Sequence, residues 1–124
     1  MSELSGSANG EIDYDGRVFR SSDPATPDAT RGELLGHYHQ RGELVWAEFG
    51  GGRVAQGRLV GICRSDGSLD FAYCQVLANG DIVAGRCVST PVRRDDGRIA
   101  LKEQWRRMDS GASGVSWIEE CRRS

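Results

Sequence analysis

Two side chains on one short stretch offer the clearest chemistry in this sequence. Glu103 and Trp105 stand two residues apart within Arg98–Met108, so on a β-strand both project to the same side. A carboxyl group beside an indole can hold a partly polar ligand, the ring supplying contact area and the acid orientation. The plainer alternative has Trp105 filling a core and Glu103 paired with an arginine. Tyr38-His39-Gln40 and Tyr73-Cys74-Gln75 repeat the spacing, each placing a phenol and an amide on one strand face. That pattern suits a pocket wall and equally an ordinary half-exposed strand. With Ser89, the candidate ligand contacts are Tyr38, Tyr73, Gln75, Ser89, Glu103 and Trp105.

Other constellations carry less. His37 and His39 share a strand face about 7 Å apart, yet nothing nominates a third ligand for a metal. Cys63, Cys74, Cys87 and Cys121 form no Cys-x-x-Cys pair and match no zinc spacing, so reduced, half-buried thiols are expected. Glu119 and Glu120 alternate faces and make no carboxylate pair. No nucleophile elbow, P-loop, dinucleotide fingerprint or His-Glu-x-x-His is present. Arg58–Cys63 approaches an acyl-CoA-binding turn, but Cys63 stands where a small residue is needed. That turn also requires a helix start to present amides to pyrophosphate, and Ser65-Asp66-Gly67 ends the segment instead. Neither a cofactor nor a metal is expected.

These side chains need elements to position them. Seventeen glycines stand against three prolines, and turn signals recur at Asp15-Gly16, Arg41-Gly42, Gly50-Gly51-Gly52, Asp66-Gly67, Asn79-Gly80, Asp96-Gly97 and Ser110-Gly111. Between them lie extended runs at 17–22, 35–41, 43–49, 53–63, 68–78, 81–91, 98–108 and 115–122. Asn-Gly and Asp-Gly suit type I′ hairpin turns, in which both central residues take positive φ. No interval has room for a crossover helix, so the runs form an antiparallel meander. Arg98–Met108 also has helical spacing at Leu101, Trp105 and Met108. It is read as a strand because Asp96-Gly97 feeds into it and the preceding strand needs a partner.

Eight such strands predict an all-β fold, an eight-stranded antiparallel up-and-down barrel, since closure removes every edge. Residues 1–13 are read as a flexible, disordered N-terminal tail and 14–124 as a single β-barrel domain. The stretch 22–30, with Pro24 and Pro27, is read as an exposed loop. Type I′ registers at Asp66-Gly67 and Asn79-Gly80 place Gly57, Leu59, Gly61 and Cys63 on one face with Asp70, Ala72, Cys74, Val76, Val83, Gly85, Cys87 and Ser89. Gln56, Arg58, Val60, Ile62, Leu69, Phe71, Tyr73, Gln75, Ile82, Ala84, Arg86 and Val88 take the other. Which face turns inward stays open, and the 92–97 loop leaves the side of Glu103 and Trp105 open too.

Composition narrows the function classes. Only 38% of the 124 residues are hydrophobic and 27% are charged, and no apolar run is long enough for a membrane helix. Sixteen basic against eighteen acidic residues give a net charge of −2, which argues against generic nucleic-acid affinity. The start of the chain lacks the basic and apolar regions of a secretory signal, so a cytoplasmic location is expected.

The chain resembles a family of small bacterial proteins frequently labelled N-acetylglutamate synthase and related to avidin-like or lipocalin-like barrels. The resemblance runs through Gly51–Val54, Gly57–Gly61, Tyr73–Gln75, Gly85–Pro91, Asp96–Trp105 and Ser116–Glu120, across roughly residues 45–121. It implies the barrel fold and no catalytic residue. A second aromatic usual in that family after the Trp105 position is Arg107 here. The leading expectation is a non-enzymatic protein binding a small, partly polar molecule inside the barrel. The alternatives are a filled barrel acting as a homodimeric interaction module and an acyltransferase.

Overall fold

A computed structural model describes residues 12–21 and 34–121. The expected loop at 22–30 and most of the expected tail lie outside the described residues. Eight strands follow one another: β1 (Val18–Ser21), β2 (Leu35–Arg41), β3 (Leu44–Gly51), β4 (Val54–Cys63), β5 (Leu69–Leu77), β6 (Ile82–Arg93), β7 (Ile99–Arg107) and β8 (Ser113–Glu120). They form a closed antiparallel barrel in sequential order. Closure comes from β1 and β8, where Phe19 pairs with Glu120 and Ser21 with Ile118. Arg98–Met108 is strand: β7 pairs along its length with β6 and β8.

The turns correct the expected registers. Each Asx-Gly hairpin is a three-residue loop in which only the glycine has positive φ, 87° at Gly67, 93° at Gly80 and 86° at Gly97. The Gly67 N–H donates to the Arg64 carbonyl at 2.9 Å and the Arg64 N–H to the Ser68 carbonyl at 2.8 Å. Leu77, Gly80 and Asp81 repeat this pattern, as do Arg94, Gly97 and Arg98. This is a type I turn followed by a glycine bulge, not type I′. The aspartate or asparagine before each glycine stays right-handed. Its Oδ1 accepts from the backbone N–H two residues on, at 2.9 Å for Asp66 and Asn79 and 3.0 Å for Asp96.

One extra loop residue shifts pairing by one, and one shift inverts a strand. Two successive shifts cancel, so β5 alone is misassigned by the type I′ registers. Leu69, Phe71, Tyr73 and Gln75 face Cys63, Gly61, Leu59 and Gly57 across β4, and Ser89, Cys87, Gly85 and Val83 across β6. That face is the interior. Asp70, Ala72, Cys74 and Val76 point outward, where Asp70 is held between Arg64 and Arg86 at 2.8 Å each. Because β6 continues to Arg93 and its loop is short, Glu103 faces Ser89 and Trp105 faces Cys87.

One half of the barrel is solid. Tyr14, Val45, Leu69, Ser89, Ile99 and Leu101 are each wholly buried there. Tyr14 lies ahead of β1 and closes that end. Its hydroxyl donates to the Gly67 carbonyl at 2.6 Å and its N–H to Gln40 Oε1 at 2.9 Å. Ile12 packs partly buried against the same core. The inward carboxylate of Glu120 accepts from Arg17 at 2.8 Å and from the Ile99 N–H at 3.1 Å.

Candidate functional site

The other half forms an open-mouthed cavity of about 330 Å³. It stays open because large rings lie opposite glycines on neighbouring strands. Phe49 faces Gly57, Phe71 faces Gly61, Tyr73 faces Gly85 and Trp105 faces Gly114. A Cβ at Gly114 would sit 2.5 Å from the Trp105 ring and one at Gly85 2.5 Å from the Tyr73 hydroxyl. A Cβ at Gly57 would overlap the ring of Phe49. Each glycine therefore lets an aromatic ring lie close to the barrel wall, so the rings line space instead of filling it.

Polar groups gather on one row of the wall. Ser89, Glu103 and Ser116 stand side by side on β6, β7 and β8. The Ser89 hydroxyl donates to Glu103 Oε2 at 3.3 Å, and Ser116 also hydrogen-bonds to this carboxyl. Cys87 Sγ lies 3.9 Å from Ser89 Oγ. Burial pushes the Glu103 carboxyl up to about 7, against the smaller opposing effect of the two serines. Burial likewise raises the Tyr38 and Tyr73 phenols and pushes the Cys87 thiol up to about 12. The hydroxyl of Tyr38, buried to 3% exposure, has no hydrogen-bond partner among the described residues.

Five of the six sequence candidates, Tyr38, Tyr73, Gln75, Glu103 and Trp105, line this cavity. Ser89 sits behind Glu103 as its hydrogen-bond donor. The expected separation of Ser89 from Tyr73 and Gln75 is overturned by the glycine-bulge registers described above. Gln40, the partner of Tyr38 in its Tyr-x-Gln pattern, instead holds Tyr14. His37 is exposed and His39 half-buried on the outer surface. There the His39 ring stacks on Trp46 at 5.4 Å and its Nε2 meets Glu48 Oε1 at 2.7 Å.

Sequence reasoning missed Phe49, Phe71, Cys87, Arg107 and Ser116 as lining residues. The glycines opposite the rings were the available signal, once the correct turn type sets the register. Arg107 is tied by Asp109, whose two oxygens accept at 3.3 and 3.1 Å.

A model of the avidin-like protein family matches residues 12–121. The chain belongs to the avidin-like protein family. Searches of curated proteins and of solved structures return no significant match. The family match accounts for the barrel half of the sequence resemblance and lends nothing to the synthase label. In this avidin-like barrel the matched span includes both the solid half and the cavity.

Proposed function

We propose that this avidin-like barrel is a receptor for one small molecule. Its apolar, ring-bearing body lies among Phe49, Phe71, Tyr73 and Trp105, and its polar head reaches Glu103 and the hydroxyl of Tyr38. The observation that carries this reading is an aromatic-walled cavity of about 330 Å³ in which polar groups converge on one spot. That volume falls within the range of small-ligand pockets. An unpartnered buried hydroxyl is costly unless a ligand or water completes it. Nothing among the described residues resembles the helix start that an acyl-CoA donor would need, so acyl transfer is not proposed.

Thermal-shift screening against a metabolite library tests the reading. A ligand at one hundred times its Kd stabilises by about 2.7 kcal/mol, enough for a clear rise in Tm. The shift is expected to shrink in Trp105→Ala and in Tyr38→Phe. No stabilising compound, or a shift undiminished in both variants, overturns it.

A further inference from the structure

We infer that the head of the ligand is an organic cation, a protonated amine or amidinium, which supplies the counter-ion that Glu103 lacks. The inference rests on the receptor reading above and narrows its ligand class. Among the described residues, the hydrogen bonds to the Glu103 carboxyl come from two serines, with no lysine, arginine or histidine at it. The lining cation on its own strand, Arg107, is four residues along β7, about 13 Å away by the strand rise, and is chelated by Asp109. A half-buried carboxylate facing an apolar-walled cavity without a cation is disfavoured. A ligand that brings the missing charge therefore gains more here than a neutral one of the same shape.

The surroundings favour the same class. Tyr38, Phe71, Tyr73 and Trp105 line the cavity with Glu103, and electron-rich rings attract cations most strongly where water is excluded. An anionic head meets repulsion from the carboxylate. A hydrated inorganic ion finds mostly apolar wall. The Tyr38 oxygen can accept an N–H from the head, giving the orphaned hydroxyl a partner.

The pH dependence follows from the groups facing Glu103. Tyr38 from β2, Tyr73 from β5 and Cys87 from β6 are all raised by burial and stay protonated near neutral pH. Ser89 and Ser116 carry no titrating group, and Arg107 is held by Asp109. Glu103, pushed up to about 7, is thus the facing group that changes charge. Affinity for a cation is expected to rise with pH through about 7, with a proton released on binding below it.

Calorimetric titration of the full chain with shape-matched pairs tests this: benzamidine against benzamide, and 2-phenylethylamine against 2-phenylethanol. At about pH 8 the cation of each pair should bind about tenfold tighter or more, and at about pH 5.5 the gap should narrow. Glu103→Gln should abolish the preference for the cation of each pair. If neutral compounds, from these pairs or the library, bind as well as or better than the cations, the cation assignment falls and the receptor reading stands. If neither class binds, both fall. A cation preference that survives Glu103→Gln also overturns the assignment.

Discussion

Glu120 and Glu103 are both inward carboxyl groups in one barrel, and their surroundings differ in kind. Glu120, in the solid half, is held by the Arg17 guanidinium and a backbone N–H. Glu103, in the hollow half, has two serine hydroxyls and an aromatic-lined space. The same contrast runs through their neighbours. Leu69, Ile99 and Leu101 interlock with no exposed surface, whereas Phe49, Tyr73 and Trp105 each lie over a glycine and border space. A satisfied charge in a packed core is architecture. Glu103 has no such cationic partner among the described residues and faces a cavity instead.

The largest effect expected from breaking this contrast lies in the solid half. Leu101→Ala should destabilise by about 2–5 kcal/mol, because a packed core leaves a void it cannot refill. Trp105→Ala, at the cavity wall, should cost less, although the ring is larger. Denaturant titration of the two variants decides it, and an equal or greater loss for Trp105→Ala would erase the distinction between the halves.

The two carboxyl groups should respond with opposite sign. The Glu103 carboxyl sits above the ordinary glutamate range in the folded state, so the folded protein binds the extra proton. Its contribution is intact below about pH 4.5 and is lost as pH rises to about 7, a change of up to about 3 kcal/mol. Without ligand, Glu103→Gln should therefore raise Tm at about pH 8 and change it little at about pH 4. Glu120→Gln should lower Tm near neutral pH by weakening the Arg17 pair. Matched melting curves across pH separate the two.

Smaller changes sharpen the comparison. Gly114→Ala should cost about 1–3 kcal/mol as the new methyl group drives the Trp105 ring off the wall, and it should weaken ligand binding by narrowing the cavity. Tyr14→Phe removes the hydrogen bond to Gly67 at the sealed end and should cost about 1 kcal/mol, with binding untouched. Loss of binding in Tyr14→Phe would mean that the halves are coupled.

Much of the fold was legible because turns and strands are local. Asx-Gly pairs at regular intervals, with extended runs between, specify a meander, and eight strands without covering helices have closure as their stable outcome. Arg98–Met108 read correctly as strand because its neighbours demanded a partner. The inversion of β5 shows the limit. Asp66-Gly67 is compatible with both type I′ and a type I turn with a glycine bulge, and the choice moves every β5 side chain through the wall. Propensity favoured the first and the pairing of the whole sheet selected the second.

The site divides along the same line. Residue types alone nominated Glu103, Trp105, Tyr38, Tyr73 and Gln75, since acids and rings at alternating positions carry recognisable chemistry at short range. Tertiary structure alone decided that they share one cavity, that Arg17 reaches Glu120 and that, among the described residues, serines hydrogen-bond Glu103. Those facts depend on pairings between strands far apart in the chain. Local sequence determines which way a strand alternates, but only closure of the barrel determines what each side chain meets inside it.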